Sequence, residues 1–79
     1  KRHKHRGLFL RLDSQTDPRL HKAQVVTSIF DGPEPLWYYY KDTGRYVRAP
    51  QQDFVSVNPT MLAELKRILG HDNVVYIAQ

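Results

Sequence analysis

The 79 residues include no cysteine, a single methionine and a single tryptophan. Without cysteine there are no disulfides, no thiolate metal sites and no thiol nucleophile, which suits a reducing compartment and an expected cytoplasmic location. No apolar run approaches the roughly 20 residues that a membrane-spanning helix requires. A signal peptide is not expected either, because the apolar stretch at Gly7–Leu12 is short and interrupted by Arg11. There is no GxSxG elbow and no glycine-rich phosphate loop. Small acyl-phosphate hydrolases need an arginine-bearing anion loop after their first strand, and here that loop reads Ser14-Gln15-Thr16. An enzyme site is therefore not expected, and no cofactor with it.

Charge is also less abundant than it first appears. The net charge of +4 comes from twelve lysines and arginines against eight acids. Lys1, Arg2, Lys4 and Arg6 supply four of the twelve, so the chain from Gly7 onward is formally neutral. Residues 1–6 read as a basic linker or tail that could touch nucleic acid, and 7–79 as one small domain. A chain that starts at Lys1 is expected to be a piece of a longer protein. His3 and His5 alternate but lack the further ligands of a metal site, and His21 and His71 stand apart, so no metal is expected.

What is present is a pattern stated twice. Gly7–Asp13 alternates as a half-buried strand, with Leu8, Leu10 and Leu12 on one side and Phe9 and Arg11 on the other. Asp17-Pro18 is a helix start: the carboxylate can take an orphan N–H and proline has none to lose. The apolar stripe Leu20, Ala23, Val26, Phe30 carries that helix to about Phe30, and Asp31-Gly32-Pro33-Glu34-Pro35 ends it. Leu36–Lys41 is an aromatic strand, Lys41–Arg45 a hairpin turn, and Arg45–Ala49 a returning strand. Pro50 interrupts the pattern before Phe54–Val57, leaving open one bulged strand or two short ones. Asn58-Pro59 starts a second helix with the stripe Met61, Leu62, Leu65, Ile68, Leu69. Gly70 stops it, and Asn73–Ala78 is a last strand.

Two β-α-β units predict an α+β two-layer sandwich of the ferredoxin-like β-α-β-β-α-β kind, an antiparallel sheet with both helices on one face. Leu8, Leu10, Leu12, Val75 and Ile77 are expected beneath the helices. The open face should carry Phe9, Arg11 and Tyr76, joined by one parity of the aromatic strand: Trp37 with Tyr39, or Tyr38 with Tyr40. An exposed aromatic patch points to a partner. The candidate partner-binding set is Phe9, Arg11, Trp37, Tyr39 and Tyr76, with Val25 and Ile29 on the first helix as a second surface. The alternative is a single-stranded nucleic-acid binder that stacks bases on the same face, although Arg45-Tyr46-Val47-Arg48-Ala49 lacks the signature of RNA-recognition modules.

The ordered residues also resemble a known family. Gly7-Leu8-Phe9-Leu10-Arg11-Leu12, Asp17-Pro18-Arg19-Leu20-His21-Lys22-Ala23, Ser28-Ile29-Phe30-Asp31-Gly32, Asp42-Thr43-Gly44, Asn58-Pro59, Leu62–Gly70 and Asn73-Val74-Val75 together resemble the C-terminus of bacterial DNA polymerase III alpha subunits, in the form of Gram-positive and related bacteria. The resemblance implies that the polymerase active site lies far upstream, so that this fragment is non-catalytic within a DNA-directed DNA polymerase. It implies a docking role in DNA replication, following an OB domain of the same chain, toward replisome proteins such as the clamp-loader tau subunit. DNA would then be reached only through the parent polymerase, no membrane is involved, and the isolated domain is expected to be monomeric.

Overall fold

The computed structural model describes residues 6–78. Strand β1 (Gly7–Leu12) is followed by helix α1 (Arg19–Ile29), a short strand β2 (Asp31–Glu34), β3 (Leu36–Tyr40), β4 (Arg45–Arg48), helix α2 (Pro59–Leu69) and β5 (Val74–Ile77). One-turn 3₁₀ segments at Gln51–Asp53 and His71–Asn73 flank α2. No helix is long and apolar enough to cross a membrane among these residues.

Both helices begin where cap chemistry places them. Asp17 accepts the backbone N–H of Arg19 at 2.9 Å, and Pro18 is already in the right-handed helical region. Asn58 accepts the N–H of Met61 at 2.9 Å, with proline in the first helical turn. Gly70 leaves α2 at φ +99°, which a side chain would resist. Gly32 differs from its expected role as a helix stop. It lies in β2 with no positive φ, and a Cβ there would sit 2.6 Å from the Ser56 backbone nitrogen. Its function is close approach: the Gly32 N–H donates to Phe54 O and the Ser56 N–H to Phe30 O.

The sheet departs from the ferredoxin-like expectation. Its strands run in the order β4-β3-β1-β5, with β1 parallel to β3 and both outer pairings antiparallel. The sheet is therefore mixed, and β3 lies directly beside β1 rather than across an intervening strand. Burial explains the exchange. β3, Leu-Trp-Tyr-Tyr-Tyr, is apolar on both faces and suits a central position, whereas β4, Arg-Tyr-Val-Arg, is exposed at every residue and suits an edge. The chain after β4 also resolves into separate pieces. Past the 3₁₀ turn, Val55 bridges to Asp31 and Glu34, so 45–57 is not one bulged strand.

Leu8, Leu10, Leu12, Leu36, Tyr38 and Tyr40 form one side of the core. Ala23 and Val26 from α1 and Met61, Leu65 and Leu69 from α2 form the other, which places both helices on that face. Burial pushes the Tyr38 and Tyr40 phenols up, and desolvation is the leading cause in each. The aromatic strand thus divides by parity, Tyr38 and Tyr40 inward and Trp37 and Tyr39 outward.

The phase of β5 is the second correction. Leu8 pairs with Tyr76 and Phe9 with Val75, so Tyr76 lies on the helix side and Val75 on the open side, the reverse of the expected arrangement. Val74-Val75-Tyr76-Ile77 is apolar in both parities, so alternation carries no phase. Asn73 supplies it. Its Nδ2 donates to Leu69 O at 2.7 Å, capping the end of α2, while its Oδ1 accepts from Arg11 Nε at 2.8 Å.

Candidate binding face

The helix-free side of the sheet is the candidate functional site. Its residues follow from strand pairing. One row runs across the four strands as Val75, Phe9, Trp37 and Arg48. Next to it, Arg11 pairs with Tyr39 and Tyr39 with Tyr46, and Arg11 reaches Asn73 by its hydrogen bond. Directly opposed side chains on adjacent strands sit within contact distance, so each row is a continuous surface.

The aromatic rings hold one another. Phe9 and Trp37 are stacked, with centroids 5.7 Å apart and planes 10° off parallel. Tyr46 meets Phe9 edge to face at 6.0 Å and lies 4.8 Å from Tyr39. Such contacts stabilise by about 1 kcal/mol each and fix ring orientation without binding any ligand. The Arg48 guanidinium lies 5.8 Å from the Trp37 ring centroid, a cation–π contact. The face is concave and encloses about 710 Å³, with Asp72 and Asn73 at one end.

The structure brings Phe9, Arg11, Trp37 and Tyr39 together as one surface. Tyr76 is 36 % exposed but belongs to the other side of the sheet. Val25 and Ile29 are exposed on α1, on the helix layer. Of the basic tail, Lys1, Arg2 and Lys4 lie outside the described residues, as do His3 and His5. Arg6 is paired with Glu34 at 3.4 Å. Sequence reasoning missed Tyr46, the most exposed ring of the patch at 62 %. The signal was available: counting back across the Lys41–Gly44 turn sets Tyr46 opposite Tyr39 and Arg48 opposite Trp37.

The open face offers groups for stacking, ionic and hydrogen-bonding contact. It presents rings, two arginines, an aspartate and aliphatic side chains. Among the described residues, no three histidine or acidic side chains gather to hold a metal ion. The strongest electrostatic site is elsewhere, where Arg19 donates from Nη2 and Nε to the buried Asp17 carboxylate at 2.7 and 3.1 Å. Those bonds outweigh burial and hold the Asp17 carboxyl well below the usual carboxylate range. The role of that pair is structural, since Asp17 also accepts from the Asp13 N–H at 3.0 Å and so clamps the connection between β1 and α1.

Comparison with curated proteins finds similarity to the DNA polymerase III subunit alpha of Halalkalibacterium halodurans, 28% identical over 71 residues. The match covers 86% of this chain and only 6% of that protein's length. No family model matches the chain, and no solved structure matches it. The chain thus resembles a short stretch of that much longer subunit.

Proposed function

We propose that this chain is a non-catalytic docking domain of a bacterial replicative polymerase, DNA polymerase III alpha, that ties the polymerase to other replisome proteins. The single observation that carries the reading is the preassembled aromatic face, Phe9, Trp37, Tyr39 and Tyr46, left open by both helices. Rigid aromatics with arginine at their margin are the residues that dominate protein interfaces. The similarity to a polymerase subunit supports the setting. The clamp-loader tau subunit is the partner to test first.

The test is an NMR titration of the isotopically labelled chain with the tau subunit of the same organism. Signals from Phe9, Trp37 and Tyr46 should shift. Tyr46→Ala should weaken binding by about 2 kcal/mol, a hot-spot magnitude, with the amide spectrum otherwise native and the melting temperature lowered by several degrees through the lost contacts with Phe9 and Tyr39. Shifts confined to other surfaces would sink the reading. Salt-sensitive shifts of the same rings with a single-stranded oligonucleotide would instead favour base stacking, for which Arg48 beside Trp37 is suited.

A further inference from the structure

The helix layer carries a second surface with different chemistry. Helix α1 buries Ala23, Val26 and Thr27, yet exposes Val25 at 49 % and Ile29 at 69 %. A surface helix ordinarily turns polar residues outward, so apolar residues on both sides leave α1 weakly amphipathic. Between α1 and α2 runs a groove of about 510 Å³, with Val25, Val26 and Ile68 as its apolar part. Arg19, Lys22 and Arg67 line it against one acid, Glu64. Arg19 is committed to Asp17, and Arg67 to Glu64. Lys22 has no acidic partner among the described residues, and α1 contains no acid at all.

We propose that this groove receives an acidic amphipathic helix from a partner protein. Charge complementarity selects the sign: an acidic rim would meet Lys22 directly and compete with Glu64 for Arg67. The walls select the conformation. Both are helices of 11 residues, about 16 Å long, and their lining residues fall at four-residue spacing, Lys22 with Val26 on α1 and Glu64 with Ile68 on α2. Ridges of that spacing interdigitate with those of another helix, so apolar residues at i and i+4 of the incoming helix would fill the floor. The site is on the layer opposite the aromatic face, and its occupancy does not depend on what binds there.

The probe is a synthetic 18-residue helical peptide with leucines at alternating three- and four-residue spacing and glutamates elsewhere, compared with an isomer carrying lysines instead. Titrated into the 79-residue chain at low salt, the glutamate peptide should shift the amides of His21–Ile29 and Glu64–Leu69. The exposed substitutions Lys22→Glu and Val25→Asp should each weaken it by about tenfold with the amide spectrum otherwise native. The lysine isomer should leave the spectrum unmoved. The proposal fails if the glutamate peptide moves nothing on the helices, if its shifts fall on Phe9, Trp37 and Tyr46, or if Lys22→Glu leaves its affinity unchanged. It also fails if the lysine isomer binds as well, since the groove would then select only apolar surface.

Discussion

Asp17 shows how much one side chain can hold. It accepts four hydrogen bonds, two from the Arg19 guanidinium and two from the Asp13 and Arg19 backbone, and so joins the end of β1 to the start of α1. Asp17→Asn keeps the shape but loses the charge. It should cost about 1–2 kcal/mol near neutral pH, a modest figure because Arg19 remains one-third exposed and solvent screens the pair. The sign with pH follows from the depressed folded-state pKa. The stabilisation is complete above the unfolded carboxyl value of about 4 and declines as the pH falls below it. Denaturant unfolding of both proteins from neutral to acid pH should show the gap closing below about pH 4. A gap constant with pH would show that the charge is irrelevant. The cap was legible in Asp17-Pro18. The arginine bonds were less so, because a side chain two residues on can turn either way and only the packed loop decides.

At the scale of elements, the helices were the most legible and the segment between them the least. Asn58 and the stripe Met61, Leu65, Leu69 specify α2 locally, since cap, proline and 3.6-residue spacing all agree. At Gly32 the local pattern misleads, because glycine after a helix is ordinarily a stop. Its actual constraint is the Ser56 backbone 24 residues downstream, which no local pattern encodes. Gly32→Ala should therefore be destabilising by about 2 kcal/mol through forced separation of β2 from the Phe54–Ser56 segment. Thermal unfolding of the variant measures the loss, and a native-like melting temperature would refute the close-approach role. Strand β5 departs from its expected phase for a similar reason. Its four apolar residues permit either phase, and the choice was made by Asn73, held between Arg11 and the last turn of α2.

For the whole molecule, strand order sets the hierarchy of stability. β1 and β3 are central, each paired on both sides, whereas β4 is a fully exposed edge strand and β2 is joined to Val55 by isolated bridges. Backbone amides of Leu8, Leu10 and Tyr38 should exchange with solvent slowest, near the global unfolding free energy. Those of β4 and of β2 should exchange orders of magnitude faster through local opening. Hydrogen-exchange NMR measures this, and uniform protection across the sheet would contradict the topology. The same order builds the candidate site. Phe9, Trp37 and Tyr46 touch because β1, β3 and β4 are successive neighbours. In the ferredoxin-like order β4 would have separated Phe9 from Trp37.

By itself the sequence determined the identity and limits of most elements, the caps of both helices, the core parity of β1, and the aromatic character of the strand at Leu36–Tyr40. These depend on residues a few positions apart, where hydrogen-bonding capacity and periodic burial act directly. Only the tertiary structure decided which strand lies beside β1, which parity of the aromatic strand and of β5 faces outward, and why Gly32 must be glycine. Each of those is a competition among segments distant in the chain for central, edge or close-contact positions. The winner is the arrangement that buries Leu-Trp-Tyr-Tyr-Tyr in the middle of the sheet and leaves Arg-Tyr-Val-Arg at its edge.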